Sequence, residues 1–191
     1  MNFKDLLLTE FAPFGNLSST QLEALEQHYQ LLLRWNQRLN LTRITEIVES
    51  VRFHYCESLY LGTVLPAGPL KIADLGSGAG FPGVPLAVFR PDLQVTLIES
   101  DARKAVFLRE ATRALRNVRV AEIRFEKCRE RFDWAVSRAV ALESVLKSSL
   151  AAKFAILATS DAASVSSDVI RLPWGKNRAL LVVSRGTLLD P

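Results

Sequence analysis

Apolar residues fall in two rhythms along this chain. Before residue 65 they recur at helical steps, and after residue 70 short apolar runs alternate with helical stretches. Leu22, Leu25, Tyr29, Leu32 and Leu39 make one buried stripe, with Asn36 as a polar interruption, and predict a helix over 20–39. Thr20 and Glu23 in TQLE are spaced as a capping box at its start. A second helix is expected over 47–61, joined to the first by the polar connection RLNLTRIT, and PAGP at 66–69 then punctuates the chain.

From there the pattern is strand, helix, strand. Strands are predicted at 71–75 (KIADL), 94–99 (QVTLIE), 117–123 (NVRVAEI), 132–139 (FDWAVSRA) and 152–159 (AKFAILAT). Helices are predicted between them at 84–90, 101–115 and 142–151, the second capped by Asp101. Residues 168–174 and 178–185 read as a closing antiparallel pair. Such alternation implies an α/β fold: a mostly parallel central sheet, Rossmann-like, with helices on both faces. Residues 1–65 are expected to form an N-terminal helical cap on the core of 66–191, in one compact domain.

In a sheet of this kind ligands bind beyond the carboxyl ends of the strands, where the first strand turns into its helix. Gly76, Gly78, Gly80 and Gly83 occupy that turn in DLGSGAGFPG. Glu99 ends the second strand about 20 residues on, where a carboxylate takes ribose hydroxyls. Adenosine is thus the common part of the expected ligand. Read from Gly78, the glycines match the dinucleotide pattern G-x-G-x-x-G, which keeps an NAD-linked oxidoreductase as an alternative. Against it, Asp74 stands next to the place of a pyrophosphate, and Pro82 and Pro85 remove amides that would donate to phosphate. An aspartate facing a cation suits S-adenosylmethionine better, with its ammonium and sulfonium.

Composition narrows the field further. At 49% apolar and 23% charged, the chain has the balance of a globular protein. No run approaches the roughly 18 apolar residues of a membrane span. The N-terminus lacks the pattern of a secretory signal, so a cytoplasmic location is expected. Two cysteines (Cys56, Cys128) and two histidines (His28, His54) are too few and too scattered for a metal site. The net charge of +4 permits a polyanionic partner. Ten basic residues against four acids lie between Arg103 and Arg131, among them Arg109, Arg113 and Arg116 on what reads as one helix face. That face is either simply solvated or a set of phosphate contacts for RNA.

A narrower resemblance rests on RWNQRLNLT (34–42), HYCES (54–58), DLGSGAGFPGVPLA (74–87), RPDLQVTLIES (90–100) and SRA (137–139), in this order. Together they resemble the RsmG (GidB) family, over roughly residues 20–145. The resemblance implies an S-adenosylmethionine-dependent methyltransferase fold and methylation of guanine N7 in 16S ribosomal RNA, with the small ribosomal subunit or its RNA as partner. It places Gly76 and Phe81 at the donor pocket, Phe125 and Glu126 beside the adenine, and Arg138 at the donor or target base. Asp74, Gly78 and Glu99 join them from the charge and loop argument above. An RNA-binding scaffold with a degenerate pocket is the non-enzymatic alternative.

Transfer to N7 needs no general base, because that atom has a lone pair and no proton; no catalytic residue beyond positioning groups is expected. The residues agree. No Asn/Asp-Pro-Pro-aromatic motif follows the fourth strand, as an exocyclic amine would need, and no cysteine sits there for covalent attack. Arg138 has a plain alternative as half of an ion pair. Asn40 and Thr42 are expected to fix the connection between cap helices, with base contact as the alternative. His54 is expected to be a satisfied half-buried histidine, with contact to the donor side or RNA as the alternative, and Trp35 and Trp134 to be core packing. Cys128 is expected to be a structural or surface thiol, and the chain a monomer. The fifth strand departs from relatives that end it on L-K-G, reading AILATSDA instead, and IRFEKCRERFD after the third strand is compact.

Overall fold

The computed structural model describes residues 1–159 and 168–184. Five parallel strands carry the alternation expected: β1 (Lys71–Leu75), β2 (Gln94–Glu99), β3 (Val118–Glu122), β4 (Trp134–Arg138) and β5 (Lys153–Thr159). The closing pair, β6 (Asp168–Arg171) and β7 (Arg178–Ser184), runs antiparallel and completes the sheet in the order β3-β2-β1-β4-β5-β7-β6. Leu75 lies level with Ile98 of β2 and Ser137 of β4, so three strands end together at one rim. Helices α5 (Gly83–Phe89), α6 (Ala102–Ala111) and α7 (Leu142–Lys147) follow β1, β2 and β4, and a 3-10 turn, Phe125–Lys127, follows β3.

The period of two along the strands decides which side chains meet the cap. Ile72, Val95, Leu97, Trp134, Val136 and Leu180 belong to one buried cluster, shared with cap residues such as Leu7, Leu25 and Tyr55. Ala73, Leu75, Ile98, Ala135 and Leu181 belong to a second cluster on the other face, under α7. By the same parity Asp74, Glu99, Arg138 and Arg178 point to the cap side. These four charged groups therefore face the N-terminal helices.

The cap consists of α1 (Phe3–Phe11), α2 (Ser19–Leu39) and one helical rod made of α3 (Ile47–Glu49), a π-helical stretch (Ser50–Cys56) and α4 (Glu57–Val64). Helix α1 had no counterpart in the sequence reading, yet it has clear causes. Asn2 caps it by accepting from Asp5 N at 2.9 Å, and Phe3, Leu6, Leu7 and Phe11 bury one face. A fully buried leucine is worth about 1.5–3 kcal/mol, and Leu7 is completely buried.

The capping box of α2 lies two residues upstream of Thr20 and Glu23. Ser18 accepts from Gln21 N, and Gln21 Oε1 accepts from Ser18 N at 2.9 Å. Gln21 wins because its amide Nε2 also donates to the carbonyls of Val88 and Phe89 at the end of α5, both at 3.1 Å, which no glutamate could do. Asp101 caps α6 as expected, accepting from Arg103 N and Lys104 N. That helix stops at Ala111 and not at 115, because Thr112 turns its hydroxyl back onto Leu108 O at 2.7 Å and leaves helical geometry. Helix α7 likewise stops at Lys147 and not at 151.

Among the described residues no helix is long and apolar enough to cross a membrane, and no group of three His, Cys, Asp or Glu could hold a metal ion. Residues 160–162, the end of the AILATSDA stretch, and residue 185 of the expected last strand lie outside the described residues.

Candidate functional site

The site starts where β1 ends. Gly76 N and Ser77 N both donate to Ile98 O, at 2.9 and 3.1 Å, which bends the chain across the end of β2. Gly76, Gly78 and Gly80 then take φ of +70°, +58° and +88°. At Gly80 this left-handed turn also brings the backbone close to the cap: an added Cβ would lie 2.6 Å from Val84 Cγ2 and 3.2 Å from His28 Nε2. Gly83 is needed for contact instead, since a Cβ there would meet Leu97 Cδ2 at 2.3 Å and Asp74 Oδ2 at 2.6 Å. Gly83→Ala should cost about 1–3 kcal/mol, read as a lower urea midpoint at unchanged slope; an unshifted midpoint would show that the packing there yields freely.

Asp74 is sealed beneath the loop with no exposed surface. Its Oδ2 accepts from Gly83 N at 3.0 Å, and Oδ1 has no hydrogen-bond partner among the described residues. Burial pushes the carboxyl up to about 7, opposed by the nearby Ser77 hydroxyl, which bonds Asp74 O at 3.1 Å, and then by the Gly83 amide, while Glu99 adds to the rise. Glu99 is the second wall. Its Oε2 accepts from Gly78 N at 2.9 Å and its Oε1 from Asp101 N at 2.8 Å, and a carboxylate oxygen has more than one acceptor site.

Two cap histidines brace the loop. His28, read in the sequence only as a poor metal ligand, is buried and bonds Ala79 O through Nε2 at 3.1 Å and Tyr55 through Nδ1 at 2.8 Å. A carbonyl only accepts, so Nε2 carries the proton and the Tyr55 hydroxyl donates to Nδ1. Burial pulls His28 down to about 4, which keeps it neutral. His54 is 6% exposed, more buried than expected. Its ring stacks on Phe81 at 4.4 Å and 12°, and Nε2 lies 2.8 Å from Thr42 Oγ1. Phe81 itself is turned into this cap cluster, with His28 and Tyr55 edge-on at 5.2 Å. Asn36 clasps Thr42 through both its N–H and its carbonyl, at 2.9 and 3.0 Å, and Asn40 supplies the left-handed residue that ends α2.

Arg138 leaves β4 at the same rim and takes the plain alternative: it bonds Phe53 O and lies 3.8 Å from Glu57 Oε2. Glu57 has no exposed surface and gives its better geometry to Arg178 of β7, accepting from Nε at 2.6 Å and also from the terminal guanidinium nitrogen. Burial lowers Arg138 to about 10, opposed by Glu57 and aided by Arg178, so it stays charged at neutral pH. Neither Glu57 nor Arg178 stood out in the sequence. The strand parity of Arg178 was the one available signal.

Phe125 and Glu126 open the 3-10 turn one strand beyond Glu99, tied there by Ile123 N donating to Glu99 O at 3.1 Å. Phe125 packs against the second core cluster, and both residues line a hollow of about 260 Å³ with Cys128 and Ser144. The three arginines do not share a face. Arg109 pairs with Glu122 at 2.7 Å, Arg113 borders a groove beside α2, and Arg116 sits by Lys71 and Gln94 at the opposite ends of the strands. The early end of α6 is what separates them.

The profile of the GidB family, rRNA small subunit methyltransferase G, matches residues 21–154. The chain belongs to this family. It is 47% identical over 118 residues to the ribosomal RNA small subunit methyltransferase G of Xanthomonas campestris pv. campestris, covering 60% of this chain and 55% of that relative. The counterpart in Desulforamulus reducens is 36% identical over 140 residues, covering 69% and 58%. The chain thus spans between half and two thirds of the length of these relatives. Among solved structures, an S-adenosylmethionine-dependent methyltransferase from Aquifex aeolicus aligns with a TM-score of 0.54 at 16% identity, over 70% of this chain and 91% of that one. The 23S rRNA methyltransferase ErmE aligns with a TM-score of 0.53 at 17% identity, over 71% and 70%. These likenesses show the fold, a Rossmann-like methyltransferase fold.

The region matched to the family holds Asp74, Glu99, His28, His54, Glu57 and Arg138. Arg178, which anchors Glu57, lies beyond it. The site also weighs against the dinucleotide alternative. The Gly83 amide that a diphosphate would need is already held by the Asp74 carboxylate, and the residues before and after it include Pro82 and Pro85.

Proposed function

We propose that this protein transfers a methyl group from S-adenosylmethionine to N7 of a guanine in 16S ribosomal RNA. The observation that carries the reading is Asp74: a carboxylate buried under an adenosine-type glycine loop, with one oxygen unpartnered, fits a cationic ligand and opposes a diphosphate. Membership of the GidB family supplies the substrate class. The reading places the protein in the cytoplasm as a monomer, with the small subunit or its RNA as partner.

In this reading Asp74 balances the positive end of the co-substrate, Glu99 takes the ribose, Gly76, Gly78 and Phe81 shape the loop around it, and Phe125 and Glu126 border the adenine. The co-substrate, when bound, supplies a methyl group on a positively charged sulfur. The acceptor nitrogen has no proton to lose, so the chain's work is alignment, which is worth up to about 7–11 kcal/mol. In this reading Arg138, bonded to Phe53 O and 3.8 Å from Glu57 at the end of β4, exchanges that hold for the base or a phosphate when RNA binds.

For the RNA backbone, Arg113 keeps its role and gains Arg34 and Arg38. These three border two adjoining grooves of about 610 and 510 Å³ along α2 and form no salt bridge among the described residues. Such contacts set affinity and salt dependence without reading sequence.

Incubating the protein and S-adenosylmethionine with unmodified small subunits or their RNA should create borohydride/aniline-sensitive breaks at one guanine. Methyl incorporation without such breaks would move the acceptor atom away from N7, and no incorporation on either substrate would overturn the assignment.

A further inference from the structure

We propose that His54 reads the target base, donating from Nδ1–H to O6 of the guanine whose N7 is methylated. The inference rests on the function proposed above and names a residue that selects the substrate within it.

His54 stands where three parts of the rim converge. Its ring stacks on Phe81 of the glycine loop, the carbonyl of its neighbour Phe53 accepts from Arg138 at the end of β4, and Thr42 of the cap connection holds its Nε2. The π-helical stretch puts Phe53 and His54 side by side at this point, as π turns commonly do at functional sites.

Hydrogen-bond accounting assigns the tautomer that leaves the fewest groups unpaired. Thr42 Oγ1 already accepts from Ile44 N at 3.0 Å, and the acceptor within reach of its own proton is His54 Nε2 at 2.8 Å. Nε2 therefore accepts, and the single proton of the neutral ring sits on Nδ1. The ring stays neutral because it is buried and faces the positive charge of Arg138 and then Arg178, with Glu57 beyond them. The neighbouring His28 is itself neutral and would oppose a second charge only if protonated. Nδ1 is a buried donor with no partner among the described residues. A buried donor left unmade is costly, and a bound acceptor removes the cost.

Purine chemistry then selects that acceptor. On the edge that carries N7, guanine presents the acceptor O6 and adenine presents the N6 donor. A group that only donates bonds guanine, opposes adenine and, by engaging O6, leaves the N7 lone pair open to the methyl carbon.

The test uses RNA carrying guanine or 2-aminopurine, which keeps N7 and lacks O6, at the nucleotide mapped as the acceptor. The wild-type protein should favour guanine by about tenfold to a hundredfold in kcat/KM. His54→Phe, which keeps the stack on Phe81, should lose that factor on guanine and nothing on 2-aminopurine, with S-adenosylmethionine affinity within about threefold of wild type. Thr42→Val, which releases the tautomer and keeps the ring, should lose part of the preference and serves if the first variant does not fold. Equal losses on both bases, or none on either, would overturn the role of His54 while leaving the methyltransferase reading intact. A wild-type protein that transfers no methyl group to guanine RNA would overturn both.

Discussion

Asp74→Asn should make the ligand-free protein more stable at pH 8 and lower its affinity for S-adenosylmethionine by about a hundredfold. The two effects have one cause. Burial moves the Asp74 carboxyl from 3.8 to about 7, so the folded chain holds this proton more tightly than the unfolded chain does. A raised carboxyl favours the fold below 3.8, and that contribution is lost as the pH rises through 7. The full displacement corresponds to about 4 kcal/mol, an upper bound on what the ionised form costs the fold. Asparagine still accepts from Gly83 N and never ionises, so its advantage should be clear at pH 8 and vanish near pH 4. Urea midpoints at the two values check this.

Binding runs the other way. A cation at Asp74 needs the ionised form, so wild-type affinity should fall about tenfold per pH unit below 7. Calorimetry at pH 6 in buffers of different ionisation heat should show about one proton released. If the asparagine variant kept the same pH dependence, Asp74 would not be the group that meets the positive charge.

How far the sequence could go is clear from these residues. The strand alternation and the glycine turn located Asp74 and Glu99 correctly at the ends of β1 and β2, because period and spacing are local properties. Locality also explains the near misses. The capping box slipped by two residues because its deciding contact, Gln21 to the end of α5, spans 67 positions. Arg109, Arg113 and Arg116 looked like one face only on the assumption that α6 continued past Thr112. The π-helical stretch within 50–56 leaves the same apolar spacing as an ordinary helix over so short a run. His28 could not be placed at all from pattern, since its partners Tyr55 and Ala79 lie 27 and 51 positions away. The double hold on Glu57 crosses 121 positions to β7.

That hold sets the second large effect. Glu57→Ala should destabilise the protein by about 3–5 kcal/mol, because it leaves two guanidinium groups partly buried without their anion. Glu57 has no exposed surface, whereas the Arg138 and Arg178 side chains keep 12% and 24% of theirs, so the loss falls mainly on the carboxylate's removal. Arg178→Leu alone should cost less, about 1–3 kcal/mol, since Arg138 then remains to pair with Glu57. The double variant should be more stable than the sum of the two losses predicts, as expected for groups that share one interaction. The activity consequence is separate. With Arg178 gone, Glu57 is free to take Arg138 into close contact and hold it away from the rim, so methyl transfer should fall although Arg178 lies outside the glycine loop and its walls. Removing Glu57 as well should release Arg138 and restore part of the rate to whatever protein remains folded. Strictly additive stabilities, together with no recovery of transfer in the double variant, would show that Arg178 fastens β7 to the cap and leaves Arg138 unaffected.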